Sequence, residues 1–212
     1  YFIMAYLLKK SPMFSEKVDD LWHEMLMFTR EYDDFSKRYL GTILHHTPNI
    51  NEEPDPDLRG FFDWVYTELF VLRKENIHLY KGFFRYPVHP EIIGDFRNLP
   101  ENELIDLYFK SDIKYMTTVR ALITSMKKSA NGVKDYDKNV IREMMGKRKY
   151  HQNYNAMLVP FLSVSYFHYD EFSSYMKVSG NSSSSCNTCS SASYCSTCSS
   201  DSSCSSCGGG GD

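Results

Sequence analysis

The strongest constraint on this chain is a change of composition near residue 179. From Ser179 onwards the sequence consists mainly of Ser, Cys, Gly, Asn and Thr, and it almost lacks apolar side chains other than cysteine. Such a segment cannot bury enough apolar surface to offset the entropy that is lost on ordering. We therefore expect one folded domain at residues 1–178 and a disordered tail at residues 179–212.

The tail holds all six cysteines of the chain, arranged as three C-x-x-C pairs. The pairs are Cys186 and Cys189, Cys195 and Cys198, and Cys204 and Cys207. Two thiolates at this spacing can bind one soft metal ion, and two adjacent pairs could complete a four-sulfur shell. Three interpretations stay open: idle reduced thiols, metal binding, and disulfide formation or attachment to another protein or surface. A thioredoxin-like role is not expected, because no helix follows a pair to lower a thiol pKa.

The charge of the chain argues against a polyanionic partner. The formal net charge is -3, and residues of both signs are mixed along the sequence rather than grouped in blocks. Nucleic-acid binding normally needs a broad positive surface. We therefore expect no nucleic-acid partner on these grounds, and a protein is the more plausible kind of partner.

No apolar run in the chain approaches the length of a membrane-spanning helix, which is about 20 residues. The nearest candidate is residues 156–167, a short segment that contains Pro160 and is expected to be buried. We expect no membrane span and a cytoplasmic location, since nothing in the sequence argues for export. Because the chain begins at Tyr1, we also expect that an N-terminal segment is missing.

The spacing of apolar residues before the tail predicts an all-α domain. Ser15 is the expected N-cap of a helix that begins at Glu16 and ends at Gly41, with Trp22 and Tyr32 on its apolar face. Strand-like alternation is weak throughout.

Further helices are expected along the rest of the domain. They are predicted at residues 58–79, from Pro100 onwards, at 113–127, at 136–150 and at 157–176, the last bent at Pro160. Residues 81–98 are interpreted as a loop because glycine and proline recur there, with a short hairpin near residues 83–88 as the alternative.

Four polar residues form the most distinctive pattern of the folded part: Asp19, His23, His45 and His46. Asp19 and His23 are four residues apart, so on a helix they lie one above the other. One helix offers two ligands to one metal ion at this spacing. Gly41 permits a reversal that returns the two later histidines to the first helix. Adjacent residues point in different directions, so one of His45 and His46 is expected to face a shared site.

Three interpretations of this group stay open. Asp19 could simply accept a hydrogen bond from His23 and fix its tautomer. The group could instead bind zinc or another transition metal through Asp19, His23 and one of His45 and His46, with an open position for water. The histidines could also act in catalysis without a metal.

Three sequence motifs surround these residues. They are V-D-x-x-W-H at residues 18–23, F-T-R-E-Y-x-x-F at residues 28–35, and G-x-x-x-H-H-x-P at residues 41–48. Together they resemble the glycine-rich domain-containing protein-like family, a domain of unknown function with bacterial and plant members. The C-terminal SSCGGGGD is also similar to bacterial members. A cysteine expected after the last phenylalanine is replaced by Ser36, so no cysteine ligand is implied there.

The resemblance implies no established reaction. For plant members it implies at most an RNA-binding or stress-related role, carried by regions that this chain lacks. The leading hypothesis is a non-enzymatic helical binding module, stabilised by a metal, whose cysteine tail binds metal or acts as a tether. The first alternative is a small metal-dependent enzyme that uses Asp19, His23 and His45 or His46. The second is an RNA-binding protein, by family analogy alone.

Overall fold

The computed structural model describes residues 1–13, 15–46, 56–72, 83–111, 113–146 and 154–176. All of them belong to the first of two units of the chain, residues 1–179. These ranges contain α-helices, one 3-10 turn and no strand apart from an isolated antiparallel bridge between Leu8 and Phe109. The all-α prediction is confirmed for this part of the chain.

The helices follow one another with short connections. They are α1 (Phe2–Leu7), α2 (Glu16–Met27), α3 (Thr29–Leu40), α4 (Pro56–Leu69), α5 (Pro90–Asn98), α6 (Glu101–Tyr108), α7 (Met116–Asn131), α8 (Lys138–Gly146), α9 (Leu158–Phe167) and α10 (Phe172–Met176). A 3-10 turn at Tyr154–Met157 precedes α9. Helix α7 packs against α4, α5, α6 and α9, while α2 packs against α3.

The start of α2 and the end of α3 are as the sequence predicts. The Ser15 hydroxyl accepts a hydrogen bond from the Val18 amide at 3.3 Å and caps α2. Gly41 ends α3 with a φ of 83°, in the left-handed region that glycine adopts without steric cost. Both ends of this helical pair are therefore set by local chemistry.

The prediction of one continuous helix between these ends is wrong, because the chain turns at Phe28 between α2 and α3. In a single straight helix Trp22 and Tyr32 would be about 15 Å apart. Their polar ends instead meet, with the Trp22 indole nitrogen 2.9 Å from the Tyr32 hydroxyl, and both side chains are buried. Burying the two rings together with their hydrogen bond therefore outweighs the helical continuity that the local pattern favours.

Two further corrections concern prolines. Residues 90–98 form α5 rather than loop, with Pro90 in the first turn, where its fixed φ suits a helix start. The described residues of the 83–88 segment form turns and no hairpin. Pro160 likewise lies near the start of α9, and the break comes at His168 instead.

The core is strongly aromatic and lies among the central helices. Trp64 and Phe62 of α4, Phe96 of α5 and Phe161 of α9 are fully buried. The Trp64 and Phe96 rings lie 5.0 Å apart, which places α4 directly against α5. The α2–α3 pair adds Trp22 and Tyr32 to the same buried set.

Candidate metal centre

Asp19, His23 and His46 lie together beside α2. Oδ1 of Asp19 is 2.8 Å from Nε2 of His46, and Oδ2 of Asp19 is 3.8 Å from Nδ1 of His23. The centroids of the two imidazole rings are 4.7 Å apart. One potential ligand atom from each residue lies within 4.8 Å of the others. The structure therefore gathers two imidazoles and one carboxylate around one point.

Helix α2 and the segment after α3 supply these groups. Asp19 and His23 occupy successive turns of α2, as their four-residue spacing predicts. Gly41 reverses the chain after α3, and the following residues return to α2. The carboxylate thus contacts one histidine from its own helix and one that arrives from another element.

His46, rather than its neighbour His45, faces the group. Leu44 is buried, His45 is exposed, and the His46 side chain is only 8% exposed. His45 is not among the residues that converge. The structure thus distinguishes two histidines that the sequence left as alternatives, and the metal-binding role of the converging residues stays a prediction.

The group is closed on one side and open on the other. The exposed fraction of the side chain rises from 8% for His46 to 34% for Asp19 and 54% for His23. An ion held here would be accessible to solvent from the side of His23. This arrangement differs from a fully enclosed structural site, in which protein ligands fill every position.

Trp22 and Tyr32 form the closed side. The Trp22 indole nitrogen donates to the Tyr32 hydroxyl, which in turn donates to the backbone carbonyl of Leu44. The Trp22 ring also meets the His46 ring edge-on, with centroids 4.5 Å apart. The sequence analysis treated both residues only as apolar core. Their polar ends were the available signal, because a buried Trp or Tyr normally finds a hydrogen-bond partner.

A second polar group, which the sequence analysis missed, lies at the contact between α4 and residues 84–88. Asp63 is completely buried, and its Oδ2 accepts a hydrogen bond from the Phe84 amide at 2.8 Å. The Arg59 Nε lies 3.3 Å from Oδ1 of the same carboxylate. Burial raises the pKa of Asp63 to about 7, although Arg59 and the Phe84 amide act in the opposite direction.

The same contact is closely packed. A Cβ atom added to Gly60 would lie 2.0 Å from the Pro87 carbonyl oxygen, so the two backbones approach more closely than any larger residue allows. Phe84 has a φ of 59°, which is rare for a residue with a side chain. Asp63 therefore holds a strained turn against α4, and we interpret it as a structural carboxylate.

The remaining predicted ligands cannot be placed. All six tail cysteines, Cys186, Cys189, Cys195, Cys198, Cys204 and Cys207, lie outside the described residues. Their role in binding metal stays a prediction. Within the described ranges, no helix is long and apolar enough to cross a membrane.

Comparison with known proteins concerns the N-terminal part of the chain. No curated protein and no solved structure was found to match. The glycine-rich domain-containing name suggested by the sequence motifs finds no support and stays a prediction. Residues 1–63, which include Asp19, His23, His46 and Asp63, match the model of the UCP032817-like family.

Proposed function

We propose that this protein is a helical metal-binding module that holds one zinc ion through Asp19, His23 and His46. The observation that supports the proposal is the convergence of three ligand atoms within 4.8 Å of one another. Imidazole nitrogen and carboxylate oxygen are both common zinc ligands. The ion would connect α2 to the segment that follows α3.

The distances are compatible with zinc after a small adjustment. Zinc bonds of about 2.0–2.1 Å in a tetrahedral arrangement place ligand atoms about 3.3 Å apart. The Asp19–His46 pair, at 2.8 Å, is slightly closer than this, and the Asp19–His23 pair, at 3.8 Å, is slightly wider. The exposed His23 side chain has room to move, so the ion can bind without rearrangement of the buried His46.

The metal-free contacts also fit this role. Nε2 of His46 lies at hydrogen-bonding distance from Asp19 when no ion is present. A ligating nitrogen must be free of its proton, so zinc binding should release protons and weaken at low pH. The hydrogen bond keeps the ligands close together, which reduces the entropy that the ion would otherwise have to offset.

A direct test measures zinc binding by the full chain after its thiols are blocked. Every cysteine lies at residues 186–207, so alkylation with N-ethylmaleimide blocks the tail without altering the three candidate ligands. We expect calorimetry and elemental analysis of the dialysed protein to find one zinc ion per alkylated chain. The double variant His23→Ala/His46→Ala should lose this ion.

His45→Ala is the matched control for that experiment. It removes an exposed imidazole directly adjacent to His46, but one that lies outside the converging group. We expect it to bind zinc like the wild type. Equal zinc binding by the double variant and the wild type would overturn the proposal and leave a metal-free hydrogen-bond network.

The open side of the group supports a second candidate function, a metal-dependent hydrolase. Three protein ligands leave a coordination position for water, and His23 borders solvent. A zinc-bound water is acidic enough to act as a nucleophile near neutral pH. This proposal predicts zinc-dependent hydrolysis of an activated ester by the alkylated wild type and by His45→Ala. An equal rate in the double variant would refute it.

A further inference from the structure

Two aromatic residues connect the backbone of the His46 segment to both helices of the α2–α3 pair. Trp22 of α2 donates to the hydroxyl of Tyr32 at 2.9 Å, and Tyr32 of α3 donates to the Leu44 carbonyl. All three of these residues are buried. We call this chain of two hydrogen bonds the Trp22–Tyr32 clamp.

The clamp acts close to the proposed ligand. Leu44 is two residues before His46, so the Tyr32 hydroxyl fixes the backbone from which the imidazole projects. The Trp22 ring then lies edge-on against that imidazole, at 4.5 Å between centroids. His46 is therefore restrained at its backbone by one clamp residue and at its ring by the other.

Trp22 also lies between the other two ligands on α2. Asp19 is three residues before it and His23 is one residue after it, so one turn of helix presents ligand, ring and ligand together. The ring itself is held by aromatic contacts to α1, with the Phe2 centroid at 5.3 Å. A displacement of Trp22 would consequently alter both the support of His46 and the spacing of the ligands.

We infer that Trp22 and Tyr32 are positioning residues for the metal centre, and that the Tyr32 hydroxyl sets its affinity by fixing His46. This inference rests on the proposed function. Groups that orient metal ligands commonly change metal affinity by about 10- to 100-fold when they are replaced. His23, in contrast, is mostly exposed, and its position is set by the helix that carries it.

A purely structural role for the clamp makes a different prediction. If the two hydrogen bonds served only to satisfy buried polar groups, their loss would lower stability but leave the zinc affinity of the folded protein unchanged. Affinity measured on folded protein therefore separates the two roles.

The test uses Tyr32→Phe in the full, alkylated chain. This change keeps the ring and removes the hydroxyl, which frees the Leu44 carbonyl. We expect zinc to bind about 10- to 100-fold more weakly, as measured by competition with a chelating dye while circular dichroism shows unchanged helix content. Cobalt(II), used as a spectroscopic probe, should also show altered visible absorption.

Two further variants complete the design. Tyr39→Phe removes a hydroxyl from an exposed ring of the same helix and should bind zinc like the wild type. Trp22→Phe keeps an aromatic ring but loses the indole donor, so it should also weaken zinc binding. It provides a second measurement if Tyr32→Phe does not fold.

A metal-free measurement separates failure of the clamp from failure of the metal proposal. In the NMR spectrum of the zinc-free protein, Tyr32→Phe should shift the ring signals of His46 and leave those of exposed His45 unchanged. Unmoved His46 signals, or equal zinc affinity, would overturn the clamp. Absence of zinc binding by the wild type would instead overturn the proposed function, and with it the metal role of the clamp.

Discussion

Asp19 and Asp63 are both helical aspartates in the N-terminal part of the chain, yet their surroundings are opposite. Asp19 is one-third exposed and lies between two histidines. Asp63 is completely buried, with the Arg59 guanidinium and the Phe84 amide against its two oxygens. One carboxylate can exchange partners with solvent or an ion, whereas the other is committed to fixed donors.

The difference shows how burial decides what a carboxylate can do. A buried charged group is costly unless it is paired, and removing its partners exposes that cost. An exposed group loses little when its partners change. We therefore expect changes around Asp63 to affect folding and changes around Asp19 to affect binding.

The largest expected effect comes from Gly60→Ala, beside Asp63 on α4. Alanine normally favours a helix over glycine by about 1 kcal/mol. Here its Cβ would lie 2.0 Å from the Pro87 carbonyl oxygen, so α4 and residues 84–88 would be forced apart. We expect a loss of unfolding free energy of about 3 kcal/mol or more, measured by urea unfolding.

Gly94→Ala is the matched control for this change. Gly94 also lies within a helix, α5, but an added Cβ there meets nothing within 4 Å. It should stabilise the protein by up to about 1 kcal/mol. If both variants were equally stable, the close approach at Gly60 would not be a constraint on the fold.

The next effect concerns Asp63→Asn and pH. Burial raises the pKa of Asp63 from 3.8 to about 7, so over that interval the folded protein keeps a proton that the unfolded chain has lost. The resulting stabilisation is complete below about pH 4 and disappears as the pH rises to about 7, by at most about 1.4 kcal/mol per pH unit. Asparagine carries no such titration.

Urea unfolding of wild type and Asp63→Asn at several pH values tests this prediction. The unfolding free energy of the variant, relative to that of the wild type, should increase as the pH rises from about 4 to about 7. The other titrating groups largely cancel in this difference. A constant difference would show that Asp63 has the same proton affinity in the folded and unfolded states.

Asp19→Asn should have a smaller effect on the metal-free fold. The side chain is partly exposed, so we expect a loss of about 0–1 kcal/mol in unfolding free energy. Zinc at 100 times its dissociation constant should stabilise the alkylated wild type by about 2.7 kcal/mol and the variant by much less. Thermal unfolding with and without zinc measures both quantities. Equal stabilisation by zinc would remove Asp19 from the ligand set.

The smallest effect is expected for His45→Ala, which changes an exposed side chain outside both polar groups. Its unfolding free energy should stay within about 0.5 kcal/mol of the wild-type value. Zinc should raise its melting temperature as much as that of the wild type. A lost response to zinc would show that the exposed histidine, rather than His46 alone, contributes to the site.

Local features of the fold and site could be predicted from the sequence, whereas long-range contacts could not. The Ser15 cap and the Gly41 helix end depend on one residue and its neighbours. The proximity of Asp19 and His23 follows from helix geometry alone. The choice of His46 over His45 depends instead on how Leu44 is held by Tyr32, a contact that no local pattern encodes.

The same reasoning explains what the sequence analysis missed. The turn at Phe28 depends on a hydrogen bond between Trp22 and Tyr32, ten residues apart. Asp63 received no attention because its partner, the Phe84 amide, is 21 residues away. Apolar periodicity describes which face of a helix is buried, but it does not show which polar groups meet in the interior.

The contact between Trp22 and His46 also provides an intrinsic optical reporter. The chain has two tryptophans, and Trp64 is buried against Phe96 in the core. Trp22, in contrast, lies directly behind a proposed ligand. A paramagnetic ion such as copper(II), held by His46, would therefore quench the Trp22 fluorescence at very short range. The emission of the unlabelled protein would then report occupation of the site.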